Sequence, residues 1–195
     1  MILTLNAAFQ YQEEIKKSRF IINTLPVSNE QQAKIQLHSY RDIAANHNCW
    51  AWKIGSQYRY SDDGEPCGTA GRPILSAIEN NNCDHLIIIV TRFFGGIKLG
   101  AAGLIRAYGG CAARCLQQAP LIPMVIRKAY LFHCYYNEWP ILERYLSEWD
   151  IGIDNLDFHS NGITVSIQLP IIHELMLQKR LTDLTKGRES IIPLS

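Results

Sequence analysis

Residues 60–73 read YSDDGEPCGTAGRP and set three carboxylates, Asp62, Asp63 and Glu65, in a run of glycines and prolines. Clustered oxygens of this kind suit a hard divalent cation or a general acid–base pair. They equally suit the capping of backbone amides in a tight turn, and D-D-G-E lacks the spacing of an EF-hand loop. We read Asp62, Asp63, Gly64, Glu65, Pro66, Gly68, Thr69, Gly71 and Pro73 as a loop frozen into one shape, holding no metal and no catalytic group. Glycine permits positive φ and proline fixes φ, so together they leave the chain few alternatives.

Residues 91–110, TRFFGGIKLGAAGLIRAYGG, pass from an apolar run through glycines into a helical pattern. Gly95-Gly96, Gly100 and Gly103 would leave amides open at the positive end of a helix, where anions bind. Arg92, Lys98 and Arg106 add cations able to make charge-assisted bonds to phosphate. Lys53, Arg59 and Arg72 extend the expected surface. Tyr58, Tyr60, Phe93 and Phe94 interleave with these cations, which suits base stacking as well as a sheet surface under a loop. The plainer alternative is that the glycines only permit tight turns and close helix–sheet approach, as Gly109-Gly110 would inside the helix. Neither G-x-x-x-x-G-K-[ST] nor G-x-G-x-x-G occurs, and no Ser or Thr stands in the turn to hold Mg²⁺.

Nucleophile chemistry has little to build on. Cys67 lies in the first motif, and His47 or His85 would have to serve it, but G-x-S-x-G is absent. Cys111 and Cys115, four residues apart on an apolar helical face, fit a core better than zinc ligation. No cofactor is expected.

The elements that must carry these motifs are legible from periodicity. Strand patterns cover residues 9–14, 19–25, 49–54 and 86–91, with the turn-prone KKS between the first two. Ser28 is expected to cap a helix running to about residue 46, and a short helix is expected over 74–79. Leu104, Tyr108, Cys111 and Cys115 recur on one helical face. Pro120 and Pro123 then interrupt the chain, dividing it into domains 1–122 and 123–195.

The second part reads β-α-β-β-α-β. A strand over 128–135 leads to a helix capped by Asn137, with Ile141, Leu142, Tyr145, Leu146 and Trp149 at helical spacing. Asn161-Gly162 signals a hairpin, followed by alternation of Ile163, Val165, Ile167 and Leu169 with Thr164, Ser166 and Gln168. A helix over 171–184 and a strand over 190–194 complete a ferredoxin-like order.

Of 195 residues 47% are hydrophobic and the net charge is +1. Residues 1–120 hold 12 Lys+Arg against 9 Asp+Glu, net +3, and residues 121–195 hold 7 against 9, net −2. Neither half is basic enough for phosphate binding to follow from charge alone. No apolar run approaches the ~20 residues of a membrane span, and the N-terminus does not read as a signal peptide. Six cysteines without C-x-x-C read as reduced thiols of a cytoplasmic protein.

The pair YSDDGEPCGTAGRPIL and VTRFFGGIKLGAAGLIRAYGG closely resembles the paired signature of the IMPACT family, bacterial YigZ-like branch, with looser likeness at EEIKKSRFI and HNCWAW. The resemblance implies an α+β protein of two domains. The first would share the α/β fold of a ribosomal protein's second domain and the GHMP kinases. The second would be ferredoxin-like, as in the last domain of elongation factor G. It also implies translational control, which eukaryotic members exert through a scaffold protein and a starvation-responsive kinase, using a further domain not found in these 195 residues. Where family members often show G-T-G-G, this chain has Gly100-Ala101-Ala102-Gly103, without a hydroxyl for phosphate transfer. The expected function is therefore non-catalytic binding of RNA or a ribosome-associated partner, without DNA sequence specificity. The rival expectation is an enzyme or binding protein for a phosphorylated small molecule at the glycine turn.

Overall fold

A computed structural model describes residues 2–194 and gives a mixed α/β protein with three antiparallel sheets. The chain forms two compact units, the first ending at Met124 and the second starting at Val125.

In the first unit the strands are β1 (Leu3–Leu5), β2 (Phe9–Ile15), β3 (Ser18–Pro26), β4 (His47–Ile54), β5 (Gln57–Ser61), β6 (Leu86–Phe93) and β7 (Leu121–Pro123). The helices are α1 (Glu30–Tyr40), α2 (Gly71–Asn80) and α3 (Ala101–Gln118). Five strands pair in the order β2-β3-β6-β4-β5, all antiparallel. The central strand β6 explains its own sequence. Leu86, Ile88 and Val90 join the core made with α2 and α3, while Ile87 and Ile89 join a second core with Ala33 of α1. A strand buried on both faces must be apolar at consecutive positions.

The periodic face of α3 is buried as expected, at Leu104, Tyr108, Cys111 and Cys115. The short strands β1 and β7, not legible in the sequence, pair with one another. The first unit ends at Met124, two residues past the 122/123 boundary read from Pro120 and Pro123. Helix α1 is shorter than expected. Its cap is Asn29 rather than Ser28, with Asn29 Oδ1 accepting from the Gln32 amide at 2.9 Å. Its last residue is Tyr40, because the buried Asn48 side chain holds the Asp42 backbone from both sides, accepting at 3.0 Å and donating at 3.0 Å.

The second unit comprises β8 (Arg127–Cys134), α4 (Trp139–Glu148), β9 (Gly152–Phe158), β10 (Ile163–Pro170), α5 (Glu174–Thr185) and β11 (Ile192–Pro193). A 3-10 turn, Ile171–His173, leads into α5, so that helix proper begins three residues later than its periodicity suggested. The sheet order is β11-β8-β10-β9, and Ile163, Val165, Ile167 and Leu169 face the core. One local expectation is corrected: Glu138, not Asn137, is the cap residue of α4, and its carboxylate accepts from the Tyr135 amide at 2.8 Å. The hairpin expected at Asn161-Gly162 forms between β9 and β10, and Gly162 serves close approach, since a Cβ there would lie 2.2 Å from the Cys134 carbonyl oxygen.

Candidate functional site

The three carboxylates of the acidic loop do three different things. Asp62 accepts from the amides of Gly68, Ala70 and Gly71 at 2.8, 2.9 and 2.8 Å, clamping the loop and the start of α2. Asp63, at φ +39°, accepts from the Asn48 amide at 2.7 Å and ties the loop to β4. Glu65 turns inward. Its Oε1 accepts from Arg92 Nη1 at 2.5 Å and from the Tyr108 hydroxyl at 2.7 Å. Gly64 and Gly68 take φ of +87° and +75°, and the Pro66 carbonyl accepts from the Thr69 amide and hydroxyl. Gly71 has no room for a side chain, since a Cβ would lie 2.7 Å from the Ser61 carbonyl. Pro73 sits under α3, where a Cβ on Gly109 would meet it at 3.4 Å. Among the described residues no group of three His, Cys, Asp or Glu side chains converges as a metal site.

Arg92 is the main correction to the expected anion surface. Alternation along β6 puts it on the same face as Leu86, Ile88 and Val90, so its guanidinium enters the core rather than solvent. Its side chain is 5% exposed and the Glu65 side chain 4%, which makes this a buried ion pair. The guanidinium also lies 5.6 Å from the ring centroids of both Phe20 and Phe94. Its Nη2 donates to Ser18 Oγ at 3.3 Å, while its Nε–H has no acceptor among the described residues.

His47 is directly opposite Arg92 in the β4–β6 register and completes the cluster. Its Nδ1 meets the Asp63 carbonyl at 2.9 Å, and a carbonyl can only accept, so Nδ1 carries the proton. Its Nε2 then faces Glu65 Oε1 at 3.8 Å. Burial raises the Tyr108 hydroxyl well above its ordinary value, which keeps it a donor to Glu65. Burial likewise pushes the Cys49 thiol up to about 12, and this thiol donates to the Asp62 carbonyl at 3.0 Å. The sequence reading missed Tyr108 as a polar partner and weighed His47 only against Cys67. Cys67 is exposed, with no hydrogen bond to either histidine among the described residues. The cross-strand register was the signal that could have joined His47 to Arg92, but it cannot be read before the pairing is known.

The remaining candidates separate. Lys53 stands at the far end of β4 and donates to Asp84, outside the cluster, and Arg59 lies 3.7 Å from Glu30. Burial alone would raise the Asp84 carboxyl. The bonds from Lys53 and from the Gly55 and His85 amides outweigh that and hold it below its ordinary value. Arg72 is exposed at the start of α2, and Lys98 and Arg106 are exposed on the glycine turn and α3. Gly95 is needed for close approach, because a Cβ would sit 1.9 Å from the Lys17 carbonyl oxygen. Gly96 and Gly100 adopt φ of +86° and +72° with open space around them, and Gly103 is packed against Leu99.

The N-termini of α2 and α3 differ in how their amides are served. Asp62 occupies the first. Gly100 begins the second with no side-chain cap and no acid in the first turn. Between that helix end and the Glu65 cluster lies a cavity of about 320 Å³, lined by His47, Glu65, Arg92, Phe94, Lys98 and Leu104 among others.

Residues 16–116, which contain both loops, match the Impact N-terminal domain. The chain belongs to the IMPACT family. This family member is 39% identical over 175 residues to "IMPACT family member in pol 5'region" of Thermus thermophilus, spanning 89% of this chain and 97% of that protein. It is 32% identical over 189 residues to "IMPACT family member YigZ" of Escherichia coli, spanning 93% and 92%. A solved structure titled as a hypothetical protein superposes with a TM-score of 0.73 at 31% identity, covering all of this IMPACT chain and 97% of the other. No helix among the described residues is long and apolar enough to cross a membrane.

Proposed function

We propose that this IMPACT-family chain is a non-catalytic, cytoplasmic RNA-binding protein linked to translation, acting through the turn between β6 and α3. The observation that carries the reading is the open start of α3. Its first-turn amides have neither a side-chain cap nor an acid, and Lys98, two residues before Gly100, and Arg106, in the second turn of α3, are exposed. An uncapped helix N-terminus with nearby cations favours a phosphate oxygen. The translational control exerted by eukaryotic members of the family points the same way. We also read the two units as separate domains, the first of the ribosomal-protein and GHMP-kinase type and the second ferredoxin-like.

Sedimentation of the purified chain with ribosomes and with total RNA, at low and at moderate salt, tests this. Association is expected to fall with salt, because each phosphate contact releases condensed counterions. The Lys98→Ala/Arg106→Ala variant is expected to lose most of it while remaining folded, since both side chains are exposed. Absence of association at low salt would overturn the RNA reading.

A further inference from the structure

We infer that the open edge of β5 docks an extended segment of a partner protein, one that sets an acidic residue between two apolar ones. An edge strand is a template for another chain unless charge, proline, a bulge or short length guards it. β2 carries Glu13 and Glu14, with Lys16 and Lys17 in the turn that follows. β9 carries Asp154 and Asp157, and its register with β10 shifts between Ser166 and Ile167. β11 is two residues long and ends in Pro193, and β1 and β7 are three residues each. β5 has five residues, no proline, no register shift against β4, and Arg59 as its single charge. Residues 57–60 are exposed and make no backbone hydrogen bond beyond the ladder to β4 among the described residues.

The register gives this edge two chemically distinct faces. Tyr60 stands opposite Ala51, a member of the core made with α2 and α3, so Tyr58 and Tyr60 share that face, 50% and 43% exposed. Arg59 stands opposite Trp52 on the α1 side, with its side chain 65% exposed. Glu30 Oε1 lies 3.7 Å from Arg59, too far for a hydrogen bond, and the same oxygen takes Lys34 at 2.9 Å. The guanidinium therefore keeps donors for a further acid. A strand added to β5 alternates with the same period. Its residue opposite Arg59 is favoured as Asp or Glu, and the residues on either side fall beside Tyr58 and Tyr60, where apolar side chains bury ring surface. Main-chain bonds hold any strand, and these side chains choose which one. Arg59 also disfavours a second copy, because antiparallel pairing of two β5 strands about their midpoint sets Arg59 against itself. β5 carries none of the groups of the β6–α3 turn, so this docking site stands apart from the RNA reading.

Amide NMR titration of the full chain tests the site with the capped pentapeptides Thr-Val-Glu-Val-Thr and Thr-Val-Lys-Val-Thr, and with the first peptide N-methylated along its backbone. The Glu peptide is expected to shift the amides of residues 57–60 with a Kd of about 1 mM and to bind about fivefold more tightly than the Lys peptide. The N-methylated peptide is expected not to bind. Arg59→Glu, checked for an unchanged melting temperature, is expected to reverse the preference between Glu and Lys, which a merely structural role would not do. Equal binding of the two peptides, or a preference that survives Arg59→Glu, would overturn the proposal. So would shifts confined to another surface, or none up to about 5 mM peptide. Sedimentation of the chain alone as a dimer, with the amides of residues 57–60 protected from exchange, would assign the edge to a second copy and overturn the proposal as well.

Discussion

Glu65 and Arg92 form a buried ion pair, Nη1 to Oε1 at 2.5 Å, between the acidic loop and the central strand of the first sheet. Their exposures of 4% and 5% mean that neither charge can fall back on water if its partner is removed. Glu65→Ala is therefore expected to destabilise the chain by about 3–5 kcal/mol, measured as a shift in the urea midpoint. The double variant Glu65→Leu/Arg92→Met is expected to recover part of that loss, because no charge is then stranded. Equal loss in single and double variants would show that packing, not charge pairing, sets the cost.

Asp62 serves three amides at once, those of Gly68, Ala70 and Gly71. Asp62→Ala is expected to cost about 2 kcal/mol, the upper range for a lost helix cap. Asp63→Ala gives up the Asn48 amide bond and is expected to cost less, about 1 kcal/mol. Thermal melts of both variants decide the order.

Gly95→Ala is expected to be far more damaging than Gly103→Ala. A Cβ at Gly95 would collide with backbone, 1.9 Å from the Lys17 carbonyl oxygen, while at Gly103 it meets only the Leu99 side chain at 3.2 Å. The first is expected to cost about 3 kcal/mol or more and the second about 1 kcal/mol or less. Soluble yield and melting temperature read the difference.

Thiol chemistry separates Cys67 from the other five cysteines. Cys67 is exposed; Cys49, Cys83, Cys111, Cys115 and Cys134 are buried, and burial pushes their thiols up to between about 11 and about 12. Since the thiolate is the reacting form, Ellman's reagent at pH 8 is expected to titrate one thiol in the native chain and six in urea. Fast reaction of a second thiol in the native state would contradict the burial.

Acid stability should carry the mark of Asp84. Its carboxyl titrates below its ordinary value in the fold, so its contribution is complete above the unfolded value of about 4 and disappears as pH falls through the folded one. The gap in melting temperature between the natural chain and Asp84→Asn is expected to be widest near pH 7 and to close below about pH 4. A gap that persists at pH 2 would assign the effect to packing.

The amino-acid sequence by itself determined what depends on neighbours a few residues apart. The buried face of α3, the alternation of β10 and the two-sided apolar run of β6 are local periodicities, and all three stand in the fold. It also determined the family, through two long loops whose glycines and prolines answer to backbone needs such as the positive φ of Gly64, Gly68 and Gly100. Tertiary structure alone decided the fate of the charges. Glu65 meets Arg92 across 27 residues and Tyr108 across 43, and no spacing rule reaches that far. Lys53, Arg59 and Arg92 looked alike as cations near glycines, yet acidic partners, Asp84, Glu30 and Glu65, lie beside all three. Lys98 and Arg106 stay exposed because the turn and the outer face of α3 carry them away from the core. Which charge is buried with a partner and which remains for a ligand is a property of strand register and helix packing, fixed only when the distant segments meet.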